Sequence, residues 1–375
     1  MLFSEVFSGT HPILCQKQKG MTYMSTKHIK WMIPAVAAVG MGLFVKSQGF
    51  NLGMGTLPTN KNKTIRTAPG EVIPQGTTFV QYGRISARPK NRGTVERIDY
   101  TTDLYEDGVT YHKHLNVYLP YDYDPNDKTK KYNVIYFQHG NTNDPDIFLN
   151  YGNTITWFDN LFASGKAEPA IVVFPTYYMD VTKNVETRKK TGQVPAGDGN
   201  WDGLPGNYYR EVTEVILPLV ESRYNIYTES FDRVGLIASR AHRCFSGYSR
   251  GGVCTWYMMH NALEFFKWYS PMSCHCLAGK RLGEDEVTPE DAYEYLKEAI
   301  DAHPDLDYFI YVASGNAKDA PLLREQMKYF VEQTETFSYG PNPMANNLYY
   351  TISDFRHADF YAPFYFYNSL QVIFH

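Results

Sequence analysis

The stretch GYSRGG, residues 247–252, places a serine between glycines that lie two residues before and two residues after it. A strand-like run precedes this stretch and a helix-like run follows it. In a sharp strand-to-helix turn a serine hydroxyl is exposed, and a Cβ at Gly247 or Gly251 would crowd the neighbouring strand and helix. The start of the helix also directs N–H groups towards the serine. The pattern predicts that Ser249 is a nucleophile; the alternative is an ordinary glycine-rich loop.

A serine nucleophile requires a general base, and in a sheet of this kind the partners follow in the order serine, acid, histidine. The histidines that follow Ser249 are His260, His275, His303, His357 and His375. His357 lies between the last predicted strand and the last predicted helix, in a loop from which its ring could reach the serine. We therefore expect His357 to be the base; the alternative is a surface histidine.

The orienting acid should follow the predicted strand DYFIYVASG, where Asp319 is the only acidic residue of the loop NAKDAPLL. The competing interpretation makes Asp319 the N-cap of a helix that begins at Ala320. Asp354 and Asp359 flank His357 and are the second choice, because neighbours in sequence rarely point correctly into an imidazole.

The oxyanion formed in such a reaction needs two backbone N–H donors. We expect one donor at Arg250, directly after the nucleophile. The second should come from the loop after the predicted strand YNVIYFQHG, with Asn141 as the candidate. His139, in the same loop, is interpreted as structural rather than as a second base.

Strands and helices alternate along most of the chain. TVERIDYTT and HLNVYLPY are typical of two antiparallel edge strands, and near-continuous apolar runs such as EPAIVVFPT indicate strands buried on both faces. The segment GNYYREVTEVILPLVESRYN has the apolar spacing of a helix, with a kink at Pro218. This alternation predicts one α/β sandwich domain over residues 79–375, with a mostly parallel sheet covered by helices on both faces.

The N-terminal part of the chain has a different composition. Within residues 1–47, Lys27 and Lys30 precede an apolar run and a small-residue exit, which is the pattern of a secretory signal; an uncleaved membrane anchor is the alternative. Residues 48–78 are polar and predict a linker or arm. We therefore expect a secreted or extracytoplasmic protein. Its four cysteines after this region (Cys244, Cys254, Cys274 and Cys276) could form up to two disulfides or stay as buried thiols.

The overall composition bears on the ligand. The chain has 36 lysines and arginines against 40 acidic residues, so its charge gives no reason to expect nucleic acid as a partner. Its 31 tyrosines suit flat sugar or aromatic ligands, because each ring has an apolar face and a polar tip. The alternative is that many of them are simply sheet residues.

Several motifs together resemble one family. GYSRGG, FQHGN, FPTYY, EVILPLVESRYN and the late histidine occur in the order typical of carbohydrate esterase family one, the feruloyl and acetylxylan esterases. The resemblance spans about residues 95–374. It implies an α/β-hydrolase fold, cleavage of hydroxycinnamate or acetate esters on plant xylan, no metal or cofactor, and the roles assigned above to Ser249, Asp319 and His357.

The chain departs from the family pattern at several places. Asn141, Thr142 and Asn143 stand where the family has glycines, and SCHCL replaces an SGDCW-like segment. A long loop, residues 181–206, predicts a lid or substrate wall. Trp201 and the pair Tyr177–Tyr178 are the candidate substrate-binding positions, by ring stacking, with core packing as the alternative.

Two other functions fit the same residues. An acyltransferase would use a sugar hydroxyl in place of water, and a catalytically silent carbohydrate-binding protein would keep the scaffold alone. The ordered set of serine, acid and histidine makes the silent binding protein the least favoured of the three, whereas nothing in the sequence excludes the acyltransferase.

Overall fold

The strands of the computed structural model are β1 (Arg66–Thr67), β2 (Thr94–Thr102), β3 (Tyr111–Leu119), β4 (Asn133–Gln138), β5 (Ala170–Phe174), β6 (Arg243–Tyr248), β7 (Trp268–Met272), β8 (Arg281–Leu282), β9 (Asp285–Glu286), β10 (Phe309–Ser314) and β11 (Leu348–Ile352). The residues that the structure describes are 66–67, 88–105, 108–141, 143–150, 154–179, 203–278, 281–282, 285–315, 319–353 and 355–375. Within them, nine strands form one sheet in the order β1-β11-β10-β7-β6-β4-β5-β3-β2, and β8 pairs with β9 apart from it.

The centre of the large sheet is parallel and its edges are not. The neighbours from β11 through β10, β7, β6 and β4 to β5 are all parallel. β2 and β3 continue the sheet antiparallel beyond β5, and β1 pairs antiparallel with β11 at the other edge. Parallel strands end at the same edge of a sheet, so the loops after β4, β6, β7, β10 and β11 share one rim. The predicted pair of antiparallel edge strands is confirmed.

The helices lie between the strands in sequence, as the alternation predicts. They are α1 (Ile147–Asn150), α2 (Thr154–Ala163), α3 (Gly203–Glu211), α4 (Leu217–Glu221), α5 (Arg233–Ala238), α6 (Arg250–Ala262), α7 (Pro289–Ala302), α8 (Pro321–Glu332) and α9 (Ala362–Ser369). Single 3₁₀ turns occur at Arg240–His242 and Asp359–Tyr361. The two-residue strands, α1 and α5 were absent from the sequence prediction because such short segments carry little periodicity.

The core consists of two layers, one on each face of the sheet. Along β4, Val134 and Tyr136 belong to the first layer, and Ile135 and Phe137 belong to the second. This alternation follows from the two-residue repeat of a strand and explains why β4 reads as a continuous apolar run. Side chains of α3, α4, α6, α7 and α8 complete the first layer, and those of α2 and α9 complete the second. Many of the tyrosines are fully buried in these layers, as the alternative interpretation of their abundance predicted.

The helical segment between α3 and α4 changes geometry ahead of Pro218. Residues Val212–Ile216 form a π-helical turn, and the N–H of Leu217 donates to the carbonyl of Val212. Proline has no N–H and its ring collides with the carbonyl one turn earlier, so a regular α-helix cannot pass through this position unchanged. The wider π turn accommodates the proline where the sequence predicts a kink.

The N-terminal predictions fall mostly outside the described residues. Residues 1–65, which include the predicted signal or anchor, are not among them, and of the predicted arm only Arg66–Thr67 is described, as the edge strand β1. Within the described part of the chain, no helix combines the length and apolar character needed to cross a membrane.

Candidate active site

Ser249 stands at the turn between β6 and α6, with backbone angles φ 55° and ψ −117°. A non-glycine residue at such a positive φ is strained by about 1–3 kcal/mol and is usually found at functional sites. An added Cβ at Gly247 would lie 2.3 Å from the carbonyl oxygen of Gly251, and one at Gly251 would lie 2.2 Å from the carbonyl oxygen of Gln138. The two glycines therefore allow the turn to pack directly against β4 and its own helix, as the sequence predicts.

The three predicted side chains of the triad lie together. The Nε2 atom of His357 is 2.8 Å from the Oγ atom of Ser249, and its Nδ1 atom is 2.7 Å from Oδ1 of Asp319. A carboxylate accepts, so Nδ1 carries the proton and Nε2 is left to accept from the serine hydroxyl. The side chain of Asp319 is fully buried, whereas that of His357 is 44% exposed, so a substrate can reach the histidine but not the acid.

Asp319 is held by two further donors. Its Oδ2 atom accepts from the backbone N–H of Gly315 at 2.6 Å and from the hydroxyl of Ser273 at 2.7 Å. The alternative role as an N-cap is not adopted, because α8 begins at Pro321 with Ala320 as its N-cap and has no side-chain cap. The carboxylate is thus oriented entirely towards the imidazole and its own supporting donors.

Ser273 is a site residue that sequence reasoning missed. It follows β7 directly, has φ 51°, and donates its backbone N–H to Ala313 at 2.8 Å. β7 lies between β6 and β10 in the sheet, so its end faces both the serine turn and the acid loop. The signal available in the sequence was a residue with a hydroxyl group placed directly after a strand that ends at the same rim of the sheet.

Two carboxylates act on the protonation of His357. Burial, the largest single effect, opposes the charged form, but the hydrogen bond and charge of Asp319 and the charge of Asp359 together raise the pKa of His357 above its ordinary 6.5. The ring of Tyr248 lies 5.2 Å from the imidazole, centre to centre. Of the two acids, Asp359 raises the pKa of His357 through its charge alone, whereas Asp319 also accepts the hydrogen bond from Nδ1. Asp354, the other second-choice acid, lies outside the described residues.

The loop after β4 lies beside the nucleophile. A Cβ built on Gly140 would be 3.4 Å from the Cβ of Ser249 and 2.9 Å from Oδ1 of Asp359. Asn141, the predicted second oxyanion donor, comes next in this loop. Arg250, the predicted first donor, is the first residue of α6. Its N–H therefore lies in the first turn of the helix, where N–H groups have no acceptor within the helix. Each predicted donor thus directly follows a residue of the serine site: Arg250 follows Ser249, and Asn141 follows Gly140.

The structure corrects the role predicted for the tyrosine pair. Tyr177 and Tyr178 are 0% and 2% exposed, so their rings offer no surface on which a substrate could stack. Their hydroxyls instead donate to the carbonyl of Gly140 at 2.9 Å and to Oδ1 of Asn141 at 2.8 Å. The pair supports the loop from behind because its residues follow β5, the strand next to β4. Trp201 lies outside the described residues.

The four cysteines that follow the N-terminal region, and His139, are buried in the interior. Cys244, Cys254, Cys274 and Cys276 are all buried free thiols, so of the two alternatives for them the structure has the unpaired one. Burial raises the pKa of the Cys244 thiol well above its usual range, which keeps it protonated and unreactive. His139 is 1% exposed and, as interpreted from the sequence, lies in the supporting layer of the loop.

Comparison with known proteins identifies the family. The model of the esterase family described as "Putative esterase" matches residues 111–357, a range that begins at β3, contains Ser249 and Asp319, and ends at His357. The chain is 32% identical over 272 residues to endo-1,4-beta-xylanase Y of Acetivibrio thermocellus. That match covers 72% of this chain but only 22% of the much longer relative.

Solved structures agree on the fold. The feruloyl esterase module from Clostridium thermocellum, determined as a complex with sinapinate, is 26% identical and superposes with a TM-score of 0.65 over 84% of this chain and 96% of the module. A family-one ferulic acid esterase from Anaeromyces mucronatus, 19% identical, superposes with a TM-score of 0.52 over 84% of this chain and 98% of that one. The predicted α/β-hydrolase fold and the resemblance stated from the motifs are both confirmed: the chain belongs to the esterase family that includes the feruloyl esterases.

Proposed function

We propose that this protein is a serine esterase with Ser249 as nucleophile, His357 as general base and Asp319 as orienting acid. The observation that carries the proposal is the continuous hydrogen-bonded line from Ser249 Oγ through both ring nitrogens of His357 to Asp319, with distances of 2.8 Å and 2.7 Å. Serine, histidine and carboxylate in this order are what activation of a hydroxyl at neutral pH requires.

In the first half of the reaction, Ser249 Oγ attacks the ester carbonyl while His357 Nε2 takes the hydroxyl proton. The negative charge that develops on the carbonyl oxygen is stabilised by the backbone N–H groups of Arg250 and Asn141. Asp319 stabilises the imidazolium and keeps the ring in the tautomer that accepts at Nε2. His357 then donates the proton to the departing alcohol, which leaves an acyl-enzyme.

In the second half, a water molecule loses a proton to His357 and attacks the acyl carbon. The same two N–H groups hold the second oxyanion, and the carboxylic acid is released as Ser249 regains its proton. The strained backbone of Ser249 keeps the hydroxyl at the open rim throughout, so both alcohol and water reach the same carbonyl.

We further propose that the substrate is a hydroxycinnamoyl ester, such as feruloyl, on plant cell-wall polysaccharide such as xylan or on an oligosaccharide derived from it. Support comes from the similarity to the feruloyl esterase module crystallised with sinapinate and to xylanase Y. Export, predicted from residues 1–47, suits such a substrate, because an enzyme can reach a cell-wall polymer only outside the cell.

The experiment is a substrate panel for the purified protein. We expect release of free acid from methyl ferulate, methyl sinapate and feruloylated arabinoxylan, with slower hydrolysis of acetylated xylan. Ser249→Ala should abolish release, and Asp319→Asn should lower kcat about 10⁴-fold, as is typical when the acid of such a triad becomes an amide.

The same panel can overturn the proposal. Hydrolysis that persists in Ser249→Ala would exclude the serine as nucleophile. A wild-type protein that folds but releases no acid from any ester would exclude an esterase. Preference for acetylated xylan over every cinnamoyl ester would leave the mechanism in place and refute the proposed acyl group.

A further inference from the structure

The carbonyl of Gly140 receives two buried hydrogen bonds. The hydroxyl of Tyr177 donates to it at 2.9 Å, and Nδ1 of His139 lies 2.8 Å from the same oxygen. Since a carbonyl only accepts, Nδ1 of His139 carries the proton, and Nε2 accepts from the hydroxyl of Thr176 at 2.7 Å. These groups are all nearly or fully buried, so no water competes for the carbonyl.

The direction of this carbonyl decides the direction of the next N–H. In a trans peptide the C=O of one residue and the N–H of the following residue lie in one plane and point in opposite directions. The Gly140 oxygen faces inwards, towards His139 and Tyr177, so the N–H of Asn141 faces the other way. Glycine places few limits on its own backbone angles, so the plane needs anchoring from outside.

The side chain of Asn141 gives the loop a second anchor. Its Oδ1 atom accepts from the hydroxyl of Tyr178 at 2.8 Å and is 3.4 Å from Nη1 of Arg250. The guanidinium of Arg250 also lies 5.6 Å from the ring centre of Tyr177. Arg250 is the residue whose N–H is the other proposed donor, so the side chains of both donor residues contact the tyrosine pair.

We propose that Tyr177 and Tyr178 are positioning residues that hold the Gly140–Asn141 peptide with its N–H directed at the developing oxyanion. This inference rests on the proposed function and deepens it. It also gives a reason for asparagine at position 141: its side chain supplies a hydrogen-bond acceptor, Oδ1, that a glycine would lack. The tyrosines act only through the peptide and do not touch the substrate.

The test uses Tyr177→Phe, Tyr178→Phe and the double variant, each of which keeps the buried ring and removes only the hydroxyl. Loss of one oxyanion donor lowers kcat about 10²–10³-fold, so loosening that donor should cost about ten-fold in each single variant and more in the double variant. KM for methyl ferulate should stay unchanged. Phenylboronic acid, which mimics the tetrahedral adduct on serine, should bind more weakly by a similar factor, whereas product ferulate should bind as before.

The matched control is Tyr269→Phe. Tyr269 is also fully buried, and its hydroxyl donates to the carbonyl of Phe266 at 3.2 Å. This hydrogen bond lies at the start of β7, at the other end of the parallel strands from the serine turn. This variant should lose as much thermal stability as the others while keeping kcat and boronate affinity.

Two results would overturn the inference. If kcat and boronate affinity in the double variant equal those of wild type, the hydroxyls do not position the peptide. If all variants, Tyr269→Phe included, lose activity only in proportion to their loss of folded protein, the tyrosines are merely structural. Either result with an inactive Ser249→Ala leaves the proposed function standing, whereas activity in Ser249→Ala refutes that function itself.

Discussion

The imidazole of His357 lies 2.8 Å from the hydroxyl of Ser249 although the two residues are 108 positions apart in the chain. They meet because β6 and β11 are parallel members of one sheet and deliver their following loops to the same rim. β7 and β10, between them, bring Ser273 and Asp319 to that rim as well. The site is therefore a product of strand order, and its members can be perturbed separately.

The pH dependence of catalysis follows from the charges around His357. Only the neutral imidazole can accept the serine proton, and Asp319 and Asp359 raise its pKa above 6.5 against the effect of burial. The imidazole therefore stays protonated to a higher pH than an ordinary histidine, and activity is lost as the pH falls through the raised pKa. A profile of kcat/KM against pH should show its acid limb above 6.5; a midpoint below that value would contradict the assignment.

Asp359→Asn should move this acid limb to lower pH. The substitution removes a negative charge that favours the imidazolium and leaves the hydrogen bond between His357 and Asp319 in place. The control is Asp305→Asn, which neutralises an exposed carboxylate ahead of β10, at the opposite edge of the sheet. The measurement is the same profile for both variants, and an unmoved limb in Asp359→Asn would show that its charge does not reach the histidine.

Ser273→Ala should reduce kcat about ten-fold with little change in KM, because a hydrogen bond to a charged group is worth about 1.5–3 kcal/mol. The variant removes one of the two supporting donors of Asp319 and keeps the other, from Gly315. Ser164→Ala, which removes a hydroxyl bonded to the carbonyl of Leu161 at the end of α2, is the control. Steady-state kinetics decide the matter: equal kcat values in the two variants would deny Ser273 its role.

Gly251→Ala should destabilise the fold by at least about 3 kcal/mol, since the new methyl group would lie 2.2 Å from a backbone oxygen that cannot move away. Gly206→Ala is the matched control, because its methyl group would meet Tyr257 at an ordinary 3.8 Å. Within helix α3 that change should be neutral or stabilising by up to about 1 kcal/mol. Urea unfolding measures both, and a stable Gly251→Ala would refute the packing argument.

Glu221→Gln should cost about 3–5 kcal/mol, because it leaves the buried guanidinium of Arg243 without its counter-charge. The side chains of Glu221 and Arg243 are both 1% exposed. One of the hydrogen bonds between them runs from Nη2 of Arg243 to Oε2 of Glu221 and is 2.8 Å long. Asp99→Asn breaks an exposed pair with Arg97 and should cost at most about 1 kcal/mol. Thermal unfolding compares the two; equal losses would mean that the buried pair is not what anchors the start of β6.

Local pattern was sufficient to predict most of the architecture. TVERIDYTT coincides with β2. The segment PEDAYEYLKEAIDAH, which has a proline at its start, forms α7 from Pro289 to Ala302. Both segments have strong periodicity, and Thr288 and Asp291 form a capping box that fixes the start of the helix. The short elements, such as β1 and α5, could not be predicted, because segments of two to six residues carry too little periodicity.

The candidate site divides in the same way. The proximity of Ser249, His357 and Asp319 could be predicted, because the order of such residues along the chain and the steric demands of a serine turn are properties of sequence. The use of Tyr177 and Tyr178 could not, because a tyrosine next to a strand end suits a ligand and a neighbouring loop equally well. Tyr177 and Tyr178 are buried against the loop after β4, so they contact that loop and not a ligand.

The amino-acid sequence alone determined the alternation of strands and helices, the need for glycine at 247 and 251, and which serine, acid and histidine could act together. The alternation depends on neighbours within a few residues, the two glycines on the sharp turn at the serine, and the choice of serine, acid and histidine on side-chain chemistry and order along the chain. Only the tertiary structure decided that Ser273 supports the acid and that two tyrosine hydroxyls hold the Gly140–Asn141 peptide. Those contacts depend on which strands are adjacent in the sheet, and hydrogen bonds over such distances in sequence leave no periodic trace in it.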